Sequence, residues 1–120
     1  MTRDELLRRT KAFALRVITA VHALPANDYV SDVLGRQLLR CGTSVGANYR
    51  AACRAKSTSD FINKLKIVEE ECDESIYWME LIVESALLSD KKLAALRAEA
   101  GEILAITVAA LRTTRAAAKS

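Results

Sequence analysis

Apolar residues recur along this chain in alternating steps of three and four, and short polar breaks divide the recurrence into four stretches. The first covers residues 2–24, where Leu7, Thr10, Ala14, Val17, Val21 and Leu24 make a heptad-like seam that Leu6, Phe13 and Ile18 widen. Thr2 suits the N-cap of this helix, and Asp4 and Glu5 fall in its first turn, where the dipole favours acid. Pro25 ends it, because the ring disfavours helical geometry in the preceding residue. Asn27 or Asp28 caps the second helix, over residues 29–55, with Leu34, Leu38, Cys41, Val45, Asn48, Ala52 and Ala55 on its seam. Ser57-Thr58-Ser59-Asp60 breaks it from the third, and Ser57 with Asp60 resembles a capping box with the shorter acid. The third helix runs to residue 88 along Phe61, Leu65, Val68, Cys72, Ser75, Met79 and Ile82. Ser89 or Asp90 caps the fourth, which carries Leu93, Leu96, Ala100, Ile103, Thr107 and Ala110 to residue 115; residues 116–120 read as a frayed tail.

Four amphipathic helices with short connections predict one all-α domain over residues 1–120, an up-down-up-down left-handed four-helix bundle. Several residues read as structural. Ser44 and Gly46 belong to a run of small residues where helices meet closely. Gly42 and Gly46 lie one turn apart, and a mid-helix glycine costs about 1 kcal/mol relative to alanine, so a neighbouring backbone is expected close by. Asn48 falls on an apolar seam, where a polar side chain needs partners; a hydrogen bond across the core, or to the loop around Ser57, would fix register. Asp60 belongs to the cap and Phe61 to the seam. Trp78, beside Tyr77 on an apolar helix, reads as a core or subunit-interface residue rather than a base-stacking one.

Composition agrees: apolar residues make up 51% and aromatics only 5%, with one proline. Cys41, Cys53 and Cys72 sit inside helical patterns without metal-ligand spacing and read as reduced core or interface residues. No basic start precedes an apolar N-terminal run, and no stretch has membrane-spanning length, so a soluble cytoplasmic protein is expected.

Charge changes the picture more. The net charge is +3, but residues 1–56 carry +6, residues 57–89 carry −6 and residues 90–120 carry +3. The third helix is an acidic rod among basic ones. In one reading it pairs with its neighbours, within the bundle or between subunits. In the other, the remaining arginines meet phosphate backbones. Arg36, Arg40, Arg50 and Arg54 lie close to one face of the second helix, and Arg8, Arg9, Lys11 and Arg16 lie on the first. Arg9, Arg16, Arg36, Arg40, Arg50 and Arg54 are the candidate phosphate contacts.

Catalytic and metal readings find little support. The acidic run from Glu69 to Glu74 lacks the Glu-x-x-His pair of di-iron bundles, and the single histidine, His22, has no glutamate three residues before it. No nucleophile accompanies His22, no cysteine has a histidine or cationic helix start beside it, and Gly42 and Gly46 do not form a phosphate loop. A non-enzymatic protein without metal or cofactor is expected.

Ser44-Val45-Gly46-Ala47-Asn48, Ser57, Asp60-Phe61, Lys64-Leu65, Glu71 and Tyr77-Trp78 together resemble the bacterial four-helix bundle family that includes proteins encoded by intervening sequences of 23S ribosomal RNA genes. Many members follow the asparagine with Ile-x-Glu; here Tyr49-Arg50-Ala51-Ala52 stands instead, so the face is more basic. The resemblance implies a ring-like homo-oligomer, a pentamer. The chain is also similar to the accessory protein of diversity-generating retroelements, a basic pentameric barrel, which implies RNA or DNA and a reverse transcriptase as partners. No catalytic residue carries over.

Overall fold

The structure, a computed structural model, describes residues 1–119. Four helices follow one another: α1 (Arg3–His22), α2 (Tyr29–Cys53), α3 (Thr58–Glu84) and α4 (Asp90–Lys119). Each start is fixed by a side chain that accepts an otherwise unpaired amide. Thr2 and Glu5 form a reciprocal capping box, with bonds of 3.1 and 3.2 Å. The Asp28 carboxylate takes the Ser31 N–H at 2.8 Å, which holds that carboxyl below the usual range. Ser57 Oγ takes the Asp60 N–H at 3.0 Å, while the Asp60 carboxylate reaches back past the cap to the Lys56 N–H at 3.3 Å. Ser89 Oγ accepts from Lys92 N–H at 3.2 Å.

α1 and α2 end two residues earlier than the sequence reading, at His22 and Cys53, and the ends of α3 and α4 differ by four. α3 stops at Glu84, not residue 88, because Ala86 turns left-handed at φ 64°; its N–H then bonds Val83 C=O and the Leu87 N–H bonds Ile82 C=O, both at 3.0 Å. This is a Schellman stop built on alanine where glycine is usual. α4 continues through the expected frayed tail to Lys119, since the alanines there favour helix; Ser120 lies outside the described residues.

The helices pack as an all-α four-helix bundle, 53 × 22 × 21 Å, in the order α1-α2-α3-α4 around its axis. The α1–α4 seam is the sparsest, and the diagonal pairs do not approach one another closely. The α3 seam is buried from Leu65 to Ile82 as read, with Phe61 only half-buried. α1 is rotated slightly: its fully buried line is Leu6, Thr10, Phe13, Val17 and Ala20, and Leu7, Ala14, Val21 and Leu24 flank it. On α2, Tyr49 rather than Asn48 faces the core; on α4, Leu111 rather than Ala110 does. Asn48 therefore does not bond across the bundle. Its Nδ2 donates to Ser44 C=O in its own helix at 2.9 Å, and Ser44 Oγ in turn donates to Arg40 C=O at 2.7 Å. Trp78 is half-buried and packs against the core.

The glycines mark where α1 lies against α2. A Cβ at Gly46 would stand 3.2 Å from Thr10 C=O, the close backbone approach expected there. At Gly42 the neighbour is a side chain: both γ-carbons of Val17 would lie 2.8 Å away. The buried hydroxyls of Thr10 and Thr107 are satisfied within their own helices, by Leu6 C=O and Ile103 C=O. Cys72 links α3 to α4 through Ala100 C=O at 3.1 Å, and burial pushes its thiol up to about 12. No helix among the described residues is long and apolar enough to cross a membrane.

Candidate nucleic-acid interface

The structure divides the six candidate arginines. Arg9 is committed to the bundle. Its guanidinium grips the Glu99 carboxylate of α4 through two bonds of 2.7 Å, with Glu102 at 3.3 Å. Only 25% of the Arg9 side chain and 16% of that of Glu99 are exposed. Arg36 pairs with Asp32, one turn back, at 3.1 Å. Arg40 reaches α3, meeting Glu74 at 2.6 Å and Glu71 at 3.3 Å. Part of the acidic charge of α3 is thus spent inside the bundle. Arg16 borders a shallow α1–α4 groove with Lys92.

Arg50 and Arg54 differ. Like Arg16, both are exposed and make no ion pair among the described residues, but they alone stand together. They stand one turn apart on α2 and border two adjoining grooves. The first, of about 460 Å3 between α1 and α2, has Arg8 and Lys11 on its opposite wall. The second continues over Ala47 and Ala51 to Lys56, Asp60 and Lys64 at the start of α3. Six cations from α1, α2, the α2–α3 connection and α3 therefore form one track around Arg50 and Arg54. Its single carboxylate, Asp60, is engaged with the Lys56 amide. The sequence reading placed Arg8 and Lys11 on the first helix without choosing them, and it missed Lys56 and Lys64. The available signal was that Lys56 and Lys64 bracket the α2–α3 turn.

Glu71, Glu74 and Cys41 bring one ligand atom each within 4.8 Å of one another. That cluster is already partnered. Arg40 bridges both carboxylates, Ser75 Oγ donates to Cys41 Sγ at 3.3 Å, and burial pushes the Cys41 thiol up. Burial also raises the Glu71 carboxyl, against the pull of Arg40. The outer stripe of α3 is different: Glu70, Asp73, Glu80 and Glu84 are exposed and make no ion pair among the described residues. Tyr77, 52% exposed, stands among them, edge-on to Trp78 with ring centroids 5.2 Å apart.

The Arg9–Glu99 clasp gives a pH dependence with a definite sign. The Arg9 hydrogen bonds hold the Glu99 carboxyl below its ordinary range, outweighing burial. A carboxyl depressed on folding contributes stability above its unfolded pKa, about 4.3, and loses it as pH falls through the folded value. Arg9→Met is expected to cost about 2 kcal/mol at pH 7, because Glu99 is left part-buried and unpaired. The gap between the two proteins in thermal melts should close as pH falls below the carboxylate range. A gap independent of pH would remove the clasp as its cause.

The family described as 23S rRNA-intervening sequence protein matches residues 4–109. Among solved structures, a protein of unknown function from the S23 ribosomal protein family of Bacteroides thetaiotaomicron superposes with a TM-score of 0.82 at 32% identity, covering 88% of this chain and 97% of that one. No curated protein matches. With a family match over most of its length and a like bundle at this identity, the chain belongs to the 23S rRNA-intervening sequence protein family.

Proposed function

We propose that this protein is a non-enzymatic nucleic-acid-binding accessory or scaffold, assembled as a homo-oligomer, with the ring-like pentamer of the resemblance as its form. The observation that carries the reading is the continuous track of Arg8, Lys11, Arg50, Arg54, Lys56 and Lys64. A single bound anion needs one or two cations; a track across three helices suits a polymer of phosphates, in RNA or DNA. Binding is electrostatic and salt-sensitive, and the partner enzyme that uses the nucleic acid, such as a reverse transcriptase, is recruited elsewhere on the surface. Arg9, Arg36 and Arg40 do not belong to this site, since their charge is spent on Glu99, Asp32 and Glu74.

A second reading rests on the outer stripe of α3. Its unpaired carboxylates suit the basic face of an adjacent copy, a head-to-tail contact of the kind that closes into a ring, and the ring would serve as a protein scaffold without nucleic acid. Size-exclusion chromatography with light scattering, read at 260 and 280 nm, separates the two. An oligomer that carries nucleic acid at low salt and sheds it at high salt supports the first reading. A clean oligomer at both salts favours the scaffold, and a monomer removes the ring from both.

A further inference from the structure

Resting on the nucleic-acid reading, we propose that the track takes single-stranded nucleic acid, with a base lodged in the α1–α2 groove and its flanking phosphates on the arginine rims. The groove has two chemical layers. Its floor is apolar or small, formed by Leu7, Ala14 and Gly46 with the exposed Ala47 at its edge; its rims carry Arg8 and Lys11 on one side and Arg50 and Arg54 on the other. A site for phosphate alone has no use for the floor. The groove is a surface valley of about 460 Å3 over two helices in contact, with room for a single base but not for a duplex. In a duplex the bases are stacked and paired, and only the outer phosphates would reach the rims. Three of the four rim cations are arginines, whose planar guanidinium stacks on a base face, as a lysine ammonium does not. Past Ala47 the track runs on to Lys56 and Lys64, where the next stretch of backbone lies.

The same groove indicates that the identity of the base is not read. Its two hydroxyls both donate to backbone carbonyls of their own helices, Thr10 to Leu6 at 2.9 Å and Thr43 to Leu39 at 2.7 Å. No amide or carboxylate side chain lines the groove to meet a base edge. Recognition then rests on apolar contact and guanidinium stacking, which every base satisfies.

The test uses fluorescence anisotropy with three probes of equal length at low salt: an oligothymidine, its abasic analogue with the same sugar-phosphate chain, and a duplex. The oligothymidine should bind at least about fivefold more tightly than the abasic strand, the loss typical of removing one stacked base. Ala47→Leu fills the cleft from an exposed position, and it should erase that difference without shifting the melting temperature. Equal affinity for the oligothymidine and abasic strands, a duplex that competes as well as the single strand, or a base preference untouched by Ala47→Leu would each overturn the inference while leaving the phosphate track in place. If no probe binds, the track reading fails and the inference fails with it.

Discussion

Reversing Arg50 and Arg54 together to glutamate is expected to lower affinity for a short single-stranded oligonucleotide by about 100-fold at low salt, roughly one order per reversed charge. These two side chains border both grooves, so their loss breaks the track at its centre. The slope of log K against log salt should flatten by about 1.4, since each phosphate contact on a single strand contributes about 0.7. Both residues are exposed and unpaired, so the fold should not register the change. Arg36→Gln is the control. That arginine lies on the same helix but faces Asp32, and its removal should change affinity by less than about threefold. Anisotropy titrations at several salt concentrations measure all three proteins. Unchanged binding by the double reversal would place the site elsewhere.

The second large effect is on the fold. Gly42→Ala should destabilise the bundle by about 2 kcal/mol, although alanine is the better helix former by about 1 kcal/mol. The new methyl would stand 2.8 Å from both γ-carbons of Val17 and 3.2 Å from its Cβ. Val17 is fully buried and has no room to withdraw, so α1 must move off α2 as a body. For a chain of this length the shift in melting temperature is about 6–10 °C. Val17→Ala alone opens a cavity and also destabilises, but in the double variant the smaller side chain receives the methyl. The double should therefore be clearly more stable than the sum of the single losses predicts, a coupling read by a double-mutant cycle. Strict additivity would mean that the two side chains do not meet.

The element legible position by position was α3. Charged residues bracket much of its seam, Lys64 and Lys66 around Leu65 and Glu71 and Asp73 around Cys72, and every seam residue from Leu65 to Ile82 is buried. α1 was read with its centre displaced because apolar residues come there in adjacent pairs, Leu6 with Leu7 and Phe13 with Ala14. Periodicity does not say which of a pair turns inward. The facing helix decides, and the space at Gly42 draws Val17 straight in. Similarly, the aromatic ring of Tyr49 takes the core position and leaves Asn48 to bond along its own helix. The end of α3 was hidden because alanine, not glycine, occupies the left-handed stop.

At the interface, the sequence displayed the arginines but not their partners. Glu99 lies ninety positions from Arg9, and Glu74 lies thirty-four from Arg40. Only folding brings these carboxylates within reach and pairs those cations, Arg9 part-buried and Arg40 still exposed. Arg50 and Arg54 keep their charge because the helices beside them bring no free acid, Asp60 being held at its own helix start. The family resemblance located the central stretch, and the geometry selected which of its cations remain available.

The unequal seams give the bundle an internal hierarchy. α1 and α4 meet least, and the Arg9 clasp on Glu99 spans their seam. α2 and α3, by contrast, share the most extensive contact. Sub-global opening should therefore begin where the first and last helices part, leaving the central hairpin as the unit of slowest amide exchange. α1 and α4 would breathe together, although neither borders the other in sequence, and the α2–α3 turn that carries Lys56 would stay closed while they do.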